Sequence, residues 1–420
     1  MTLGSKTRNL LLLIAAPLLM IFAADLFVRF MYPIPAKGYG VWAAYPGSEL
    51  ELIMEPDDFR AIHRYNRFGF RGPDFGIDRK TDIRIVCVGD SYTEGVGAEE
   101  EATWPSVLAA ELSDLEAEVI NLGDSGSSLA RYASILSKVA LPLTPTDVIL
   151  CVNTLDLRHG PQMAKDLSLA QEFHDPFREN RGYWTRSLMT IVPGWIYLIE
   201  RVQGRWPIQA GLYWNAYTNR MTEIAARGLA GIHKLPIEEA MRIVEERIKG
   251  LADGILSAAI ERKFNPSVVQ NTLVIPYWTY ECRMEDIDLP AEMMTKGMLA
   301  WLQWYASICR KQRARPWLLY FPEASLVMDG NWGPLKDHLY SMGPKVVGDT
   351  SVRDMMKKAC ARLGIGFIDA TPVLAEHGRE QLFFRYDPHP TSRAYELVAQ
   401  AVAQEIRPVL KEFRGKIQSK

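Results

Sequence analysis

The feature that most constrains this chain is a rhythm of short apolar β-rich runs alternating with helical stretches. Ile83-Arg84-Ile85-Val86-Cys87-Val88 is followed by a helical pattern near Trp104 to Leu112. Ala117 to Leu122, a helical pattern near Leu129 to Ala140, and Asp147 to Val152 continue the series. Apolar runs of this length, each ending at a turn and leading into a helix, predict parallel strands buried on both faces and joined by crossover helices. The rhythm stops near Gly160. It resumes at Pro316-Trp317-Leu318-Leu319-Tyr320-Phe321, then runs through a helix at Val352 to Leu363, a strand at Gly366 to Asp369 and a last helix from Ser392 to about Leu410. The expectation is an α/β chain with a three-layer open parallel sheet, split by a mostly helical insertion.

The boundaries follow from these breaks: an anchor-like segment at 1–32, a linker and leading segment at 33–80, the first part of the α/β domain at 81–159, the insertion at 160–311, and the second part at 312–420. Residues 33–80 are rich in Pro, Gly and aromatics and are expected to be mainly loop. Seven of the eleven tryptophans fall in the insertion, so it is expected to be folded rather than a disordered linker. Within it, Ile237, Met241, Val244, Ile248, Leu251 and Ile255 form an apolar seam at alternating steps of four and three, with a second helical pattern from Ala291 to Arg310. That seam suits a dimerising coiled coil or, the preferred reading, a helical hairpin packed on its own domain. Trp184, Trp195, Trp206 and Trp214, with Tyr183, Tyr197, Tyr213 and Tyr217, suit core packing better than a sugar-stacking or membrane-surface platform.

At the N-terminus, Lys6 and Arg8 precede an uncharged apolar stretch from Leu10 to Ala24 that continues, past Asp25 and Arg29, to Met31. Arg29 can snorkel and Tyr32 suits an interface, so an uncleaved signal-anchor helix over about Leu10 to Met31 is expected. The preceding positive charge would leave the bulk of the chain outside the cytoplasm. A net charge of −2 with no long basic run gives no footprint for nucleic acid. The five cysteines make no CxxC pair and no zinc-like spacing with the histidines, so free buried thiols are expected and no metal or cofactor is implied.

Chemistry concentrates at two places. Gly89-Asp90-Ser91 follows the first strand and precedes a helix, where open α/β sheets bind ligands and backbone N–H groups can face an oxyanion. A serine hydroxyl is a poor nucleophile at neutral pH and needs a base, which needs an orienting group. His389, in Asp387-Pro388-His389-Pro390 just before the last helix, meets that need, with Asp387 placed to hold the imidazole. An Asp-x-His tripeptide alone is common by chance; paired with a strand-end Gly-Asp-Ser it becomes specific. His159, His174, His233 and His377 are isolated and read as ordinary surface or core histidines. Gly123-Asp124-Ser125 is a second Gly-Asp-Ser at a strand end and makes Ser125 a rival nucleophile.

These blocks resemble the SGNH/GDSL hydrolase family. Gly89-Asp90-Ser91-Tyr92-Thr93-Glu94-Gly95 is similar to its first block, Asn121-Leu122-Gly123-Asp124-Ser125-Gly126 to its second, and Asp387-Pro388-His389 to its last. Asn66-Arg67-Phe68-Gly69-Phe70-Arg71-Gly72 is similar to the stretch preceding the first block in membrane-anchored members. The resemblance covers about 60–160 and 312–410, and implies a flavodoxin-like sheet. It also implies Ser91 as nucleophile rather than Ser125, His389 as general base, Asp387 as its orienting acid, and the N–H groups of Ser91 and Gly126 as oxyanion donors. The family's third block completes that hole with an Asn beside an Asp. Here the stretch reads Val152-Asn153-Thr154-Leu155-Asp156-Leu157, so aligning Asp156 with the family's Asp puts donorless Leu155 at the Asn position. Either Asn153 reaches in from two residues earlier or the hole keeps two backbone donors.

The expected activity is serine-dependent hydrolysis of an acyl or acetyl ester through an acyl-enzyme, outside the cytoplasm. One rival is O-acetyl transfer or deacetylation on an envelope polysaccharide; the other is a catalytically silent glycan-binding or scaffold protein. Expected partners are an ester or acylated carbohydrate, a lipid bilayer at the N-terminal helix, and a second copy if the insertion dimerises.

Overall fold

The computed structural model describes residues 16–17, 19–27, 49–54, 58–127, 129–153, 156, 221–233, 235–249, 273, 291–328, 350–385, 387 and 389–418. Its centre is a five-stranded parallel sheet preceded by an antiparallel hairpin, β1 (Glu49–Met54) and β2 (Phe59–Arg64). The sheet strands are β3 (Arg84–Gly89), β4 (Glu118–Gly123), β5 (Asp147–Val152), β6 (Arg315–Tyr320) and β7 (Gly366–Asp369), in the order β4-β3-β5-β6-β7. Counted within the sheet that is 2-1-3-4-5, the flavodoxin-like order, whose direction of winding reverses between β3 and β5. All four pairings are parallel. The strands read from the sequence differ from these by no more than one residue at either end.

Helices cover both faces. Strand period two sends Ile85, Cys87, Ile149 and Cys151 into one core and Val86, Val88, Val148, Leu150 and Val152 into the other. The first core is roofed by α2 (Trp104–Glu111) and the long C-terminal helix α8 (Ser392–Gln418); the second by α3 (Leu129–Ile135), α6 (Ala291–Lys311) and α7 (Ser351–Leu363). Before them, the single turn α1 (Ser91–Glu94) follows β3. This is the three-layer arrangement that the apolar strands require.

The insertion contributes α4 (Met221–His233) and α5 (Ile237–Lys249), which pack on each other and bury Ala225, Ala226, Leu229, Ala240 and Val244 in the first core. Of the apolar seam read from Ile237, Val244 is buried in that core with Met241 and Ile248 partly buried against it, Ile237 is exposed, and Leu251 and Ile255 lie outside the described residues. In α6, Trp301 is fully buried and the Tyr305 hydroxyl sits 2.8 Å from the Val148 carbonyl and 2.9 Å from that of Trp317, so this part of the insertion is sheet cover. The aromatic set at 183–217 lies outside the described residues. Cys87, Cys151, Cys309 and Cys360 are buried free thiols, and Cys282 lies outside the described residues.

Two sequence expectations need correction or restatement. Residues 33–80 are not all loop: β1 and β2 pair from Glu49↔Arg64 to Met54↔Phe59. Alternation was hidden there because the buried positions of β2 include His63 beside Ala61, and histidine counts as polar in a pattern search. At the N-terminus, helix is described within 16–27, with Leu19, Met20, Ile21, Phe22, Leu26 and Phe27 exposed. Among the described residues no helix is long and apolar enough to cross a membrane.

Candidate active site

Ser91 sits at the reversal point of the sheet. Gly89 ends β3 opposite Gly123 of β4, and α1 folds down over both. A Cβ on Gly89 would lie 2.2 Å from Thr93 Oγ1, and one on Gly123 would lie 2.1 Å from the Glu94 backbone nitrogen. Only glycine permits that approach. The Asp90 carboxylate caps the turn by accepting the Tyr92 N–H at 2.9 Å, and Gly95 closes it in the left-handed region at φ 86°. Ser91 is left half-buried at the carboxyl edge of the sheet.

The loop before α8 brings Asp387 and His389 to the same edge. It is folded back on itself by Phe384 N–H to the His389 carbonyl at 3.1 Å and Thr391 N–H to the Leu382 carbonyl at 2.8 Å. The buried Asp387 accepts the His389 backbone N–H at 2.9 Å and a short hydrogen bond from Nδ1. With Nδ1 engaged, Nε2 is the nitrogen left for chemistry. The His389 ring lies 5.9 Å, centroid to centroid, from that of Tyr92, the neighbour of Ser91. Burial alone would push the His389 pKa down, but the Asp387 carboxylate outweighs it, with Asp90 and Glu94 adding in the same sense, and the net shift is upward.

On the opposite flank, Gly126 follows β4 with φ 75° and open space where a Cβ would point. Asn153, directly after β5, is buried and donates from Nδ2 to Asp90 Oδ2 at 3.0 Å, while its backbone N–H bonds Asp156 Oδ2 at 3.0 Å. The Asn153 side chain therefore reaches the Gly89-Asp90-Ser91 turn; Leu155 lies outside the described residues. Burial pushes Asp90 and Asp156 both up, and the Asp90 charge drives Asp156 well above the carboxylate range. Asp90 keeps two N–H donors, the Tyr92 backbone and the Asn153 amide.

The second Gly-Asp-Ser is differently committed. Asp124 pairs with Arg131 at 2.5 Å, and Ser125 gives Glu94 Oε2 both its N–H, at 2.9 Å, and a short bond from its hydroxyl. Ser125 is thus bound to a carboxylate rather than to an imidazole. Of the isolated histidines, His377 contacts Glu380 at 2.6 Å on the surface, and His159 and His174 lie outside the described residues.

Sequence reasoning passed over the group beneath α1. Glu94 Oε1 accepts from His63 Nδ1 at 3.1 Å and from the Tyr65 hydroxyl at 2.7 Å. Arg71, 1% exposed, donates to the carbonyls of Gly95 (2.7 Å) and Ala98 (3.0 Å). The Asn66-to-Gly72 stretch is folded to deliver that guanidinium: Asn66 Oδ1 accepts Phe68 N–H at 2.9 Å and Phe70 N–H at 3.2 Å, around Gly69 at φ 79°. Burial would raise Glu94, but its bonds from His63, Ser125 and Tyr65 hold it down at about 2.

No family model matches the sequence, and no curated protein matches it. Solved structures do. One is a member of the lipolytic protein G-D-S-L family from Veillonella parvula, at 13% identity and TM-score 0.33 over 77% of this chain and 97% of that one. Another is an acetyl xylan esterase, at 11% identity and TM-score 0.35 over 77% and 98%. A third is a mutant of an acetyl-xylooligosaccharide esterase from Geobacillus stearmophilus, at 10% identity and TM-score 0.35 over 78% and 94%. The chain is thus similar to G-D-S-L proteins and esterases. At such distance the chemistry rests on this chain's own side chains.

Proposed function

We propose that this chain is a serine ester hydrolase of the SGNH type, with Ser91, His389 and Asp387 as its triad. The observation that carries this reading is the Asp387–His389 pair seated against the Gly89-Asp90-Ser91 turn at the sheet's reversal point. In the proposed reaction, His389 Nε2 takes the Ser91 proton as Oγ bonds the ester carbonyl carbon. Asp387 holds the imidazole tautomer and offsets the charge of the imidazolium. The tetrahedral oxyanion is met by the N–H groups of Ser91 and Gly126 and by the Asn153 amide, which its bond to Asp90 holds beside the nucleophile. Collapse breaks the carbon–alkoxy bond, and His389 returns its proton to the leaving alcohol. Water, deprotonated by the same histidine, then releases the acid from Ser91.

The exposed Leu19, Met20, Ile21, Phe22, Leu26 and Phe27 support anchoring at a membrane, with the catalytic domain outside the cytoplasm as proposed from the flanking charges. Acetylated xylo-oligosaccharides, beside simple acyl esters, are the first substrates to offer. The decisive experiment is labelling of the full chain with a serine-directed fluorophosphonate. Label on a Ser91 peptide, lost in Ser91→Ala, supports the triad; an intact protein that takes up none overturns it and favours a silent scaffold.

A further inference from the structure

The Glu94 carboxylate faces two ways. Oε1 is held by the leading segment, through His63 and Tyr65; Oε2 is held by the loop after β4, through the N–H and hydroxyl of Ser125. That loop carries Gly126, the proposed oxyanion donor, one residue on. The same leading segment reaches the loop of the base: Asp58 Oδ1 accepts the Arg385 N–H at 2.6 Å, and the Phe59 and Phe384 rings lie 4.6 Å apart. Three pieces of the site thus meet on one hairpin and one buried carboxylate.

The hydrogen-bond polarity at Glu94 is fixed. Arg71 Nη1 lies 3.3 Å from His63 Nε2, and a guanidinium only donates, so Nε2 must accept. Neutral His63 therefore carries its proton on Nδ1 and donates to Glu94; burial, the largest influence on this imidazole, keeps it neutral by lowering its pKa. On the other side, the Ser125 backbone N–H can only donate. A carboxylate accepts on both oxygens. A carboxamide cannot: in either orientation its NH2 would face a fixed donor.

We propose that Glu94 is a positioning residue for the acyl-transfer site, setting the Gly126 loop against the Ser91 turn, and that the leading segment from Asp58 to Arg71 is the bracket that holds it. This rests on the Ser91 reading above. It gives the Glu in the first block, and the Asn-to-Gly stretch before it, a role in turnover beyond stability.

The test compares the wild type with Glu94→Gln, Ser125→Ala and their double variant in the full-length protein. Competent sites are counted by fluorophosphonate titration, so that kcat is expressed per active Ser91. Displacing a reacting group by about 1 Å costs on the order of 100-fold. Glu94→Gln should therefore lose about 100-fold in kcat with KM within about threefold, and Ser125→Ala about tenfold. In the double variant, Ser125→Ala should add less than about threefold, because its partner is already lost. If Glu94→Gln yields no folded protein, the isosteric Tyr65→Phe replaces it, with an expected loss of about five- to tenfold that is again non-additive with Ser125→Ala. A per-site kcat within about threefold of wild type for these variants, or effects that simply multiply, overturns the proposal even when Tm falls. A wild type that takes up no label overturns the Ser91 reading instead, which keeps the two failures apart.

Discussion

Two Gly-Asp-Ser tripeptides end adjacent strands of this sheet, with Gly89 and Gly123 opposite each other in register, and they do different work. In the first, the aspartate turns onto the chain ahead of it, capping Tyr92 N–H, and a helical turn lifts Ser91 to the edge where His389 waits. In the second, the aspartate turns to Arg131, the described residues 124–127 form no helix, and Ser125 lies against Glu94. Glu94 belongs to the first copy's own motif. The tripeptide does not decide which serine is presented; the residues that receive the aspartate and the serine do.

The sharpest way to break that comparison is to delete each hydroxyl. Ser91→Ala should abolish labelling and reduce kcat by about 10⁶-fold, the scale seen when a triad nucleophile is removed, whereas Ser125→Ala should still label. The opposite pattern in a mass-mapped labelling experiment would exchange the roles of the two copies. Next in size is Asp387→Asn, which leaves His389 without its acceptor and should lower kcat by about 10⁴-fold. The pH profile carries the sign. His389 must be neutral to act, and its pKa lies above the ordinary histidine value, so kcat/KM should fall on acidification with a midpoint above about 6.5. Without the Asp387 charge its raising influence is lost, and the midpoint in Asp387→Asn should move down. A midpoint that does not move would mean that another group limits the profile.

How much of this was legible beforehand differs by interaction type. The sheet was readable almost to the residue because strands buried on both faces are continuous apolar runs, and burial is non-directional. Ser91, Asp387 and His389 were readable as candidates because each lies at a strand end or just before a helix in a short local motif. His63, Tyr65 and Arg71 were not. Their role is to satisfy one carboxylate and a set of carbonyls 24 to 31 residues away, and long-range polar complementarity leaves no periodic trace. His63 and Arg71 stand two residues before and six residues after Tyr65, among Arg64 and Arg67, and nothing in that pattern singles them out. Asn153 was readable as a residue type at a strand end, but its direction depended on where β5 stops.

Glycines separate the copies by a smaller margin. Gly123→Ala would drive a Cβ to 2.1 Å from the Glu94 backbone nitrogen, an atom that cannot rotate away, and should cost about 3 kcal/mol of stability and displace α1. Gly126→Ala meets nothing within 4 Å and should cost only the left-handed backbone strain, about 1–2 kcal/mol. Urea denaturation of the two variants measures the difference. Equal losses would mean that the close approach of α1 to β4 relaxes at little expense, and that the two copies are less rigidly joined than their register implies.

The smallest effect expected is in acid stability, and it tests which copy holds the charge. Glu94 titrates at about 2 in the folded chain against an ordinary 4.5, so between those values the unfolded chain binds a proton that the folded one refuses. Stability from Glu94 is therefore complete above about pH 5 and is lost as pH falls toward 2. His63, lowered by burial, acts in the same direction from about pH 6.5 downward. Asp124 has the opposite sign: burial raises it despite Arg131, so its contribution is complete below its unfolded value of 3.8 and declines as pH rises through the folded one. In Glu94→Gln the slope of stability against pH between about 5 and 2 should flatten, while in Asp124→Asn it should steepen. A slope unchanged in Glu94→Gln would show that this carboxylate is not ionised at the centre of the cluster, and the two-sided acceptor that joins the copies would lose its physical basis.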